Sequence, residues 1–114
     1  MSPAELSEWL GKCTAWFGYA QSQLGLAEAQ RALVQRRFSR IANELIVSQQ
    51  VKQRTYELQV AEVARSKPEL LELQEKIAEL EAQCVLWVRM VRAYEAYCRL
   101  FEGERDRRRW SREG

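Results

Sequence analysis

The chain has 114 residues, 46% hydrophobic and 30% charged, which excludes wholesale disorder, while two prolines and five glycines leave little room for the turns of an all-β fold. Eighteen basic and sixteen acidic side chains give a net charge of only +2, there is no histidine, and Asp106 is the sole aspartate. With the commonest general base and metal ligand missing, the expectation is a single helical domain that is not an enzyme and holds no metal or other cofactor.

The opening "MSPAELSEWL" lacks the basic region and apolar stretch of a signal peptide. Apolar runs such as "VLWV" at 85–88 are too short to span a bilayer, so a cytoplasmic protein with no membrane contact is expected. A helix starts at once: Ser2 and Glu5 form an S-x-x-E capping pattern, with Pro3 at the first helical position. From there Leu6, Leu10, Cys13, Phe17, Ala20, Leu24, Ala27, Arg31, Val34, Phe38, Ile41 and Leu45 recur in steps of four and three. Eleven of the twelve are apolar, Arg31 being the exception. A 3.5-residue repeat sustained that long is a coiled-coil seam and predicts a helix over about residues 3–47.

Gly11, Gly18 and Gly25 lie seven residues apart inside this helix. Each costs roughly 1 kcal/mol relative to alanine. With Ala4 and Ala32 they hold one heptad position, and Ala15, Ser22 and Ala29 hold the adjacent one. Such a stripe of small residues lets a second helix backbone come close, gaining van der Waals contact that offsets the lost propensity. A copy of the same chain is the expected occupant; glycines that merely loosen the helix are the alternative. Trp9 and Trp16 widen the apolar face beyond the seam.

Residues 46–66 are ambiguous. Tyr56, Leu58 and Val60 alternate as in a strand, but Tyr56, Val60 and Val63 also share a helical face, and Thr55 is a fitting N-cap. A loop over about 48–54 and a short helix over 56–65 are favoured. The second long helix starts at "SKPE", where Ser66 and Glu69 repeat the capping pattern. Leu70, Leu73, Ile77, Leu80, Cys84, Trp87, Val91, Tyr94, Cys98 and Phe101 then step three and four without a break, and Gly103 is the expected terminator. The helix is predicted over about 68–102, leaving 103–114 as a basic tail. Around Val85, Leu86, Trp87, Val88, Met90 and Val91 it is apolar on nearly every side, and a helix of that kind must be covered on every side. Two antiparallel rods cannot do this, so Trp9, Gly11, Trp16, Gly18, Gly25, Val85, Leu86, Val88 and Met90 are the expected oligomer interface. Cys13, Cys84 and Cys98 all fall on the seams, as small buried hydrophobes do.

The cations are clustered. Between residues 29 and 43 there are four arginines and no acid: Arg31, Arg36, Arg37 and Arg40. Like charges at these spacings repel, and an external anion relieves them. The tail "GERDRRRWSREG" adds Arg105, Arg107, Arg108, Arg109 and Arg112 around Trp110. Arginine beside an exposed aromatic suits single-stranded nucleic acid, cations meeting phosphates while a ring stacks on a base. The same arginines could instead complement a helix dipole, pair with glutamates of a neighbouring subunit, or touch anionic lipid. Glu69, Glu72, Glu75, Glu79 and Glu81 occupy outer helix positions and read as a solvated face.

The aromatic-rich first helix "LSEWLGKCTAWFGYAQSQLGLAEA", the start "SKPELLELQEKIAELEA" of the second and the arginine-rich end together resemble the UvsY-like phage recombination mediators. Relatives often carry a Ser-Arg-Glu segment before paired arginines; here "EGERDRR" keeps Glu104, Arg107 and Arg108. The resemblance implies a small helical protein forming homo-oligomeric rings. It also implies binding of single-stranded DNA and help in loading a recombinase onto strands coated by single-strand-binding protein. The overall expectation is an all-α fold: a long antiparallel, coiled-coil-like helical hairpin over 1–102 with a short intervening helix, assembling into a homo-oligomer. The rival is a helical protein–protein adaptor, or a phage-encoded inhibitor or scaffold, with no nucleic-acid role.

Overall fold

The computed structural model describes residues 1–113, with side chains to residue 112. Three α-helices follow one another: α1 (Pro3–Ser48), α2 (Tyr56–Ser66) and α3 (Pro68–Glu113), and no strand occurs among the described residues. None of the helices is long and apolar enough to cross a membrane among those residues.

The helix ends show why each element starts and stops where it does. At the head of α1 the Glu5 N–H donates to Ser2 Oγ at 3.1 Å, filling one of the open donors of the first turn. Its C-terminus closes with Gln50 at φ 51°. There the Gln50 N–H donates to the Val47 carbonyl and the Val51 N–H to the Ile46 carbonyl, both at 3.2 Å. This is the paired 5→2 and 6→1 pattern of a Schellman motif, and Val51 and Ile46 pack on the same core beside it. Thr55 caps α2, its hydroxyl accepting from the Leu58 N–H at 3.3 Å. Lys67 stays extended at φ −134° and ψ 98°, as the residue before a proline prefers, and α3 starts at Pro68.

The structure departs from the sequence expectation at two helix ends. Ser66 does not cap α3: it is the last residue of α2, where its hydroxyl donates to the Val63 carbonyl and accepts from Gln49 Nε2. Nor does Gly103 end α3. Its φ is not positive, and the helix runs on to Glu113, so residues 103–113 are not a separate tail. Gly103 therefore lacks the left-handed conformation of a C-cap. Beyond it Glu104 meets Arg107 and Arg108 at i+3 and i+4, an acid-before-base order that supports a helix.

The seams read from the sequence are the buried faces: all twelve positions of α1 and all ten of α3 are buried or half-buried. The chain forms two compact units, one of Met1–Leu26 with Cys84 onward, the other Ala27–Gln83. In the first, α1 runs antiparallel to α3. Small residues fully buried on α1, Cys13 and Ala20, alternate with aromatic pairs: Trp9 stacks on Phe101 at 6.5 Å between centroids, Trp16 meets Tyr94 at 5.9 Å, and Tyr19 meets Trp87 edge-on at 5.8 Å. Such pairs contribute about 0.5–1.5 kcal/mol each beyond their buried area. Burial, with Cys98 close by, pushes the Cys13 thiol up, so it stays protonated and unreactive at neutral pH.

The second unit has the tighter core. Val60, Val63 and Ala64, at i, i+3 and i+4 of α2, close over Ala42 of α1 and Leu70 of α3. Phe38, Ile41, Leu45, Ile46 and Val51 ring them. Ala42 is fully buried, and its small side chain leaves room for α2. Phe38 is thus taken up by packing, and is not a free ring among the arginines around it.

Candidate nucleic-acid interface

Because α3 continues through Gly103, its last turns become a structured surface. Arg105, Arg108, Arg109 and Arg112 stand at i, i+3, i+4 and i+7, the spacing that places four side chains on one helical face. They line a groove of about 350 Å³ whose other wall is the beginning of α1: Pro3, Leu6, Ser7 and Leu10. Cationic forks on one side and an apolar wall on the other suit a ligand with negative charges and flat apolar parts. A single-stranded polynucleotide has both.

The remaining tail residues sort differently from expectation. Arg107 is off this face and holds Glu104 in a two-point pair, Nη2 to Oε1 at 2.7 Å and Nε to Oε2 at 3.0 Å. Arg108 reaches the same carboxylate from Nε at 2.9 Å and donates from Nη2 to the Met1 carbonyl at 2.6 Å. These contacts hold Glu104 well below the usual carboxylate range, at about 2, through the Arg107 and Arg108 hydrogen bonds. Its folded value is depressed, so the pair forms fully above the ordinary carboxylate pKa and is lost only as pH falls toward 2. Arg107 and Arg108, with Met1 and Phe101, line a second hollow beside the first. Trp110 is 74% exposed and outside the lining of either groove, so it does not share a cleft with the four arginines.

Within the second unit, Arg36, Arg37 and Arg40 line a groove with Leu33. Arg37 also bridges to Glu69 of α3 at 2.7 Å. No acid among the described residues pairs with Arg36 or Arg40. Arg31 is not part of this group; it lies half-buried on the seam.

The expected oligomer interface is partly exposed. Trp9, Trp16, Val85 and Leu86 keep 40–55% of their surface accessible, while Val88 and Met90 are half-buried. Tyr19, Tyr97 and Leu100, which sequence reasoning left out, are exposed by more than half. A Cβ at Gly11, Gly18 or Gly25 meets nothing within 4 Å, so nothing inside one copy requires glycine there.

The apolar wall of the groove was not foreseen. A signal for it exists: continuing the α3 seam in steps of four and three past Phe101 lands on Arg105 and Arg108, opposite the start of α1. Compared with known proteins, the chain matches no family model, no curated protein and no solved structure.

Proposed function

We propose that this protein is a non-enzymatic binding module for single-stranded DNA that works as a homo-oligomer, in the manner of a UvsY-like recombination mediator assisting a recombinase on strands coated by single-strand-binding protein. The observation that carries the reading is the groove in which Arg105, Arg108, Arg109 and Arg112 face the exposed Pro3 and half-buried Leu10. Four guanidinium groups on about two turns of helix attract several consecutive phosphates. The apolar wall favours unpaired bases over a duplex, whose bases are already stacked. Arg36 and Arg40 supply a second, weaker patch. Patches repeated across an oligomer bind one strand together, raising affinity without any new contact.

The direct test compares labelled single-stranded and duplex oligonucleotides of equal length. Preference for the single strand is expected, and absence of binding even at low ionic strength leaves the coiled-coil adaptor as the better account. Trp110→Ala refines the comparison. An exposed indole at the arginine-rich end adds stacking worth about 1–3 kcal/mol per base, so its loss is expected to weaken single-strand binding more than duplex binding. Equal losses for both would remove Trp110 from the stacking role.

Self-association has its own test. Gly18→Leu meets open space within one copy, so the helix stays folded and gains propensity. The same side chain blocks a second helix on the small-residue stripe. Sedimentation is expected to show a smaller assembly; an unchanged mass means that copies meet elsewhere.

A further inference from the structure

We infer that Glu104 is a built-in competitor for the bound anion: its carboxylate occupies Arg107 and Arg108 in the free protein and yields them when a phosphate backbone arrives. The inference rests on the nucleic-acid reading above and adds a regulatory contact to it. Arg107 offers Glu104 the two-point fork that a phosphate diester would accept, and Arg108 shares Oε1 with it. Arg108 is also one of the four arginines of the groove, and it ties down the Met1 carbonyl. The site is therefore already filled by a carboxylate from its own helix, one turn back. The Glu104 and Arg108 side chains remain 30% and 26% accessible, so the pair is within reach of solvent and of a competing anion. Ion pairs in such settings are weak, which lets a polyanion displace the carboxylate without unfolding the helix. Displacement frees Arg107 and the Nε of Arg108 for phosphate.

Among the described residues, other acids near the groove lack this arrangement. Asp106 only approaches Arg105 at 3.7 Å, and Glu102, two residues before Glu104, joins no ion pair among the described residues. Glu102→Gln is therefore the matched control, removing one negative charge from the same stretch of helix without touching the latch.

The experiment titrates a labelled oligothymidylate against wild type, Glu104→Gln and Glu102→Gln at several salt concentrations, with far-UV circular dichroism to verify that α3 keeps its helix. Glu104→Gln is expected to bind roughly threefold tighter, the release of a surface ion pair. Its dependence of log affinity on log salt is expected to match wild type, because the displaced carboxylate leaves the same arginines to phosphate in both complexes. Glu102→Gln is expected to change affinity less and leave the slope alone. Equal gains in the two variants mean that only net charge matters and overturn the latch. Weaker binding by Glu104→Gln also overturns it, making Glu104 a support that positions Arg108. Binding by neither wild type nor Glu104→Gln overturns the latch together with the nucleic-acid reading, whereas strong wild-type binding with no gain in Glu104→Gln defeats the latch alone.

Discussion

Replacing Arg105, Arg109 and Arg112 together with glutamate is expected to lower affinity for single-stranded DNA by about 100-fold or more near physiological salt, ~2.8 kcal/mol at 1.4 kcal/mol per tenfold. The size follows from the groove. Three of its four arginines lose their attraction for phosphate, and each becomes a repelling charge on the same face of α3. Arg108 is left in place because it also anchors Met1 and Glu104, and its loss would confuse binding with structure. All three substituted residues are exposed, so the helix content of the variant should match wild type by circular dichroism. The corresponding change at Arg36 and Arg40 is expected to be smaller, since it reverses two charges instead of three and the groove has Leu33 alone as apolar lining. An unchanged affinity in the triple variant would remove the α3 groove from the binding surface.

The largest effect on stability is expected at Leu70, where substitution by alanine should cost about 3 kcal/mol, within the 2–5 kcal/mol usual for buried leucine. Leu70 is fully buried two residues after Pro68, and it closes the core formed by Val60, Val63 and Ala64 of α2 against Ala42 of α1. Shortening it opens a cavity at the point where α2 is attached, and α2 has only 11 residues with which to hold on. Urea denaturation should show the midpoint falling. Leu71→Ala is the natural control: its neighbour is half exposed, and surface substitutions of that kind usually stay within about 0.5 kcal/mol. Similar losses at both positions would contradict the described core.

Much of this architecture could be read from the residues because its causes are local or periodic. Pro3 and Thr55 mark helix starts by chemistry that acts within one turn, and the structure has α1 at Pro3–Ser48 and α2 at Tyr56–Ser66 against expectations of 3–47 and 56–65. The step-of-three-and-four repeat marked both buried seams because burial of one stripe is what such a repeat achieves. Gly103 misled because glycine's preference for helix ends is statistical. In this chain the Glu104 pairs that favour continuation form only once the helix exists. Ser66 misled in a similar way, since a capping pattern does not reveal that the serine already ends the preceding helix.

The candidate site was harder to read for a different reason. Its arginines were all picked out by composition, but their grouping depends on contacts between distant parts of the chain. Leu6 and Leu10 face Arg105 and Arg112 across roughly a hundred residues of sequence. Arg37 is drawn to Glu69, and Arg108 to Met1, by the same long-range packing. Trp110 and Arg107 share the arginine-rich segment but not the groove, a separation that follows from helical geometry once α3 is known to continue.

The most direct test of the account is the salt dependence of wild-type binding to a single-stranded oligonucleotide. Four groove arginines, each displacing about 0.7 of a counterion per phosphate met, predict a fall of log affinity with log salt of slope near −2 to −3 for each occupied groove. No binding at low salt, or an affinity that salt leaves unchanged, would contradict a function built on these arginines.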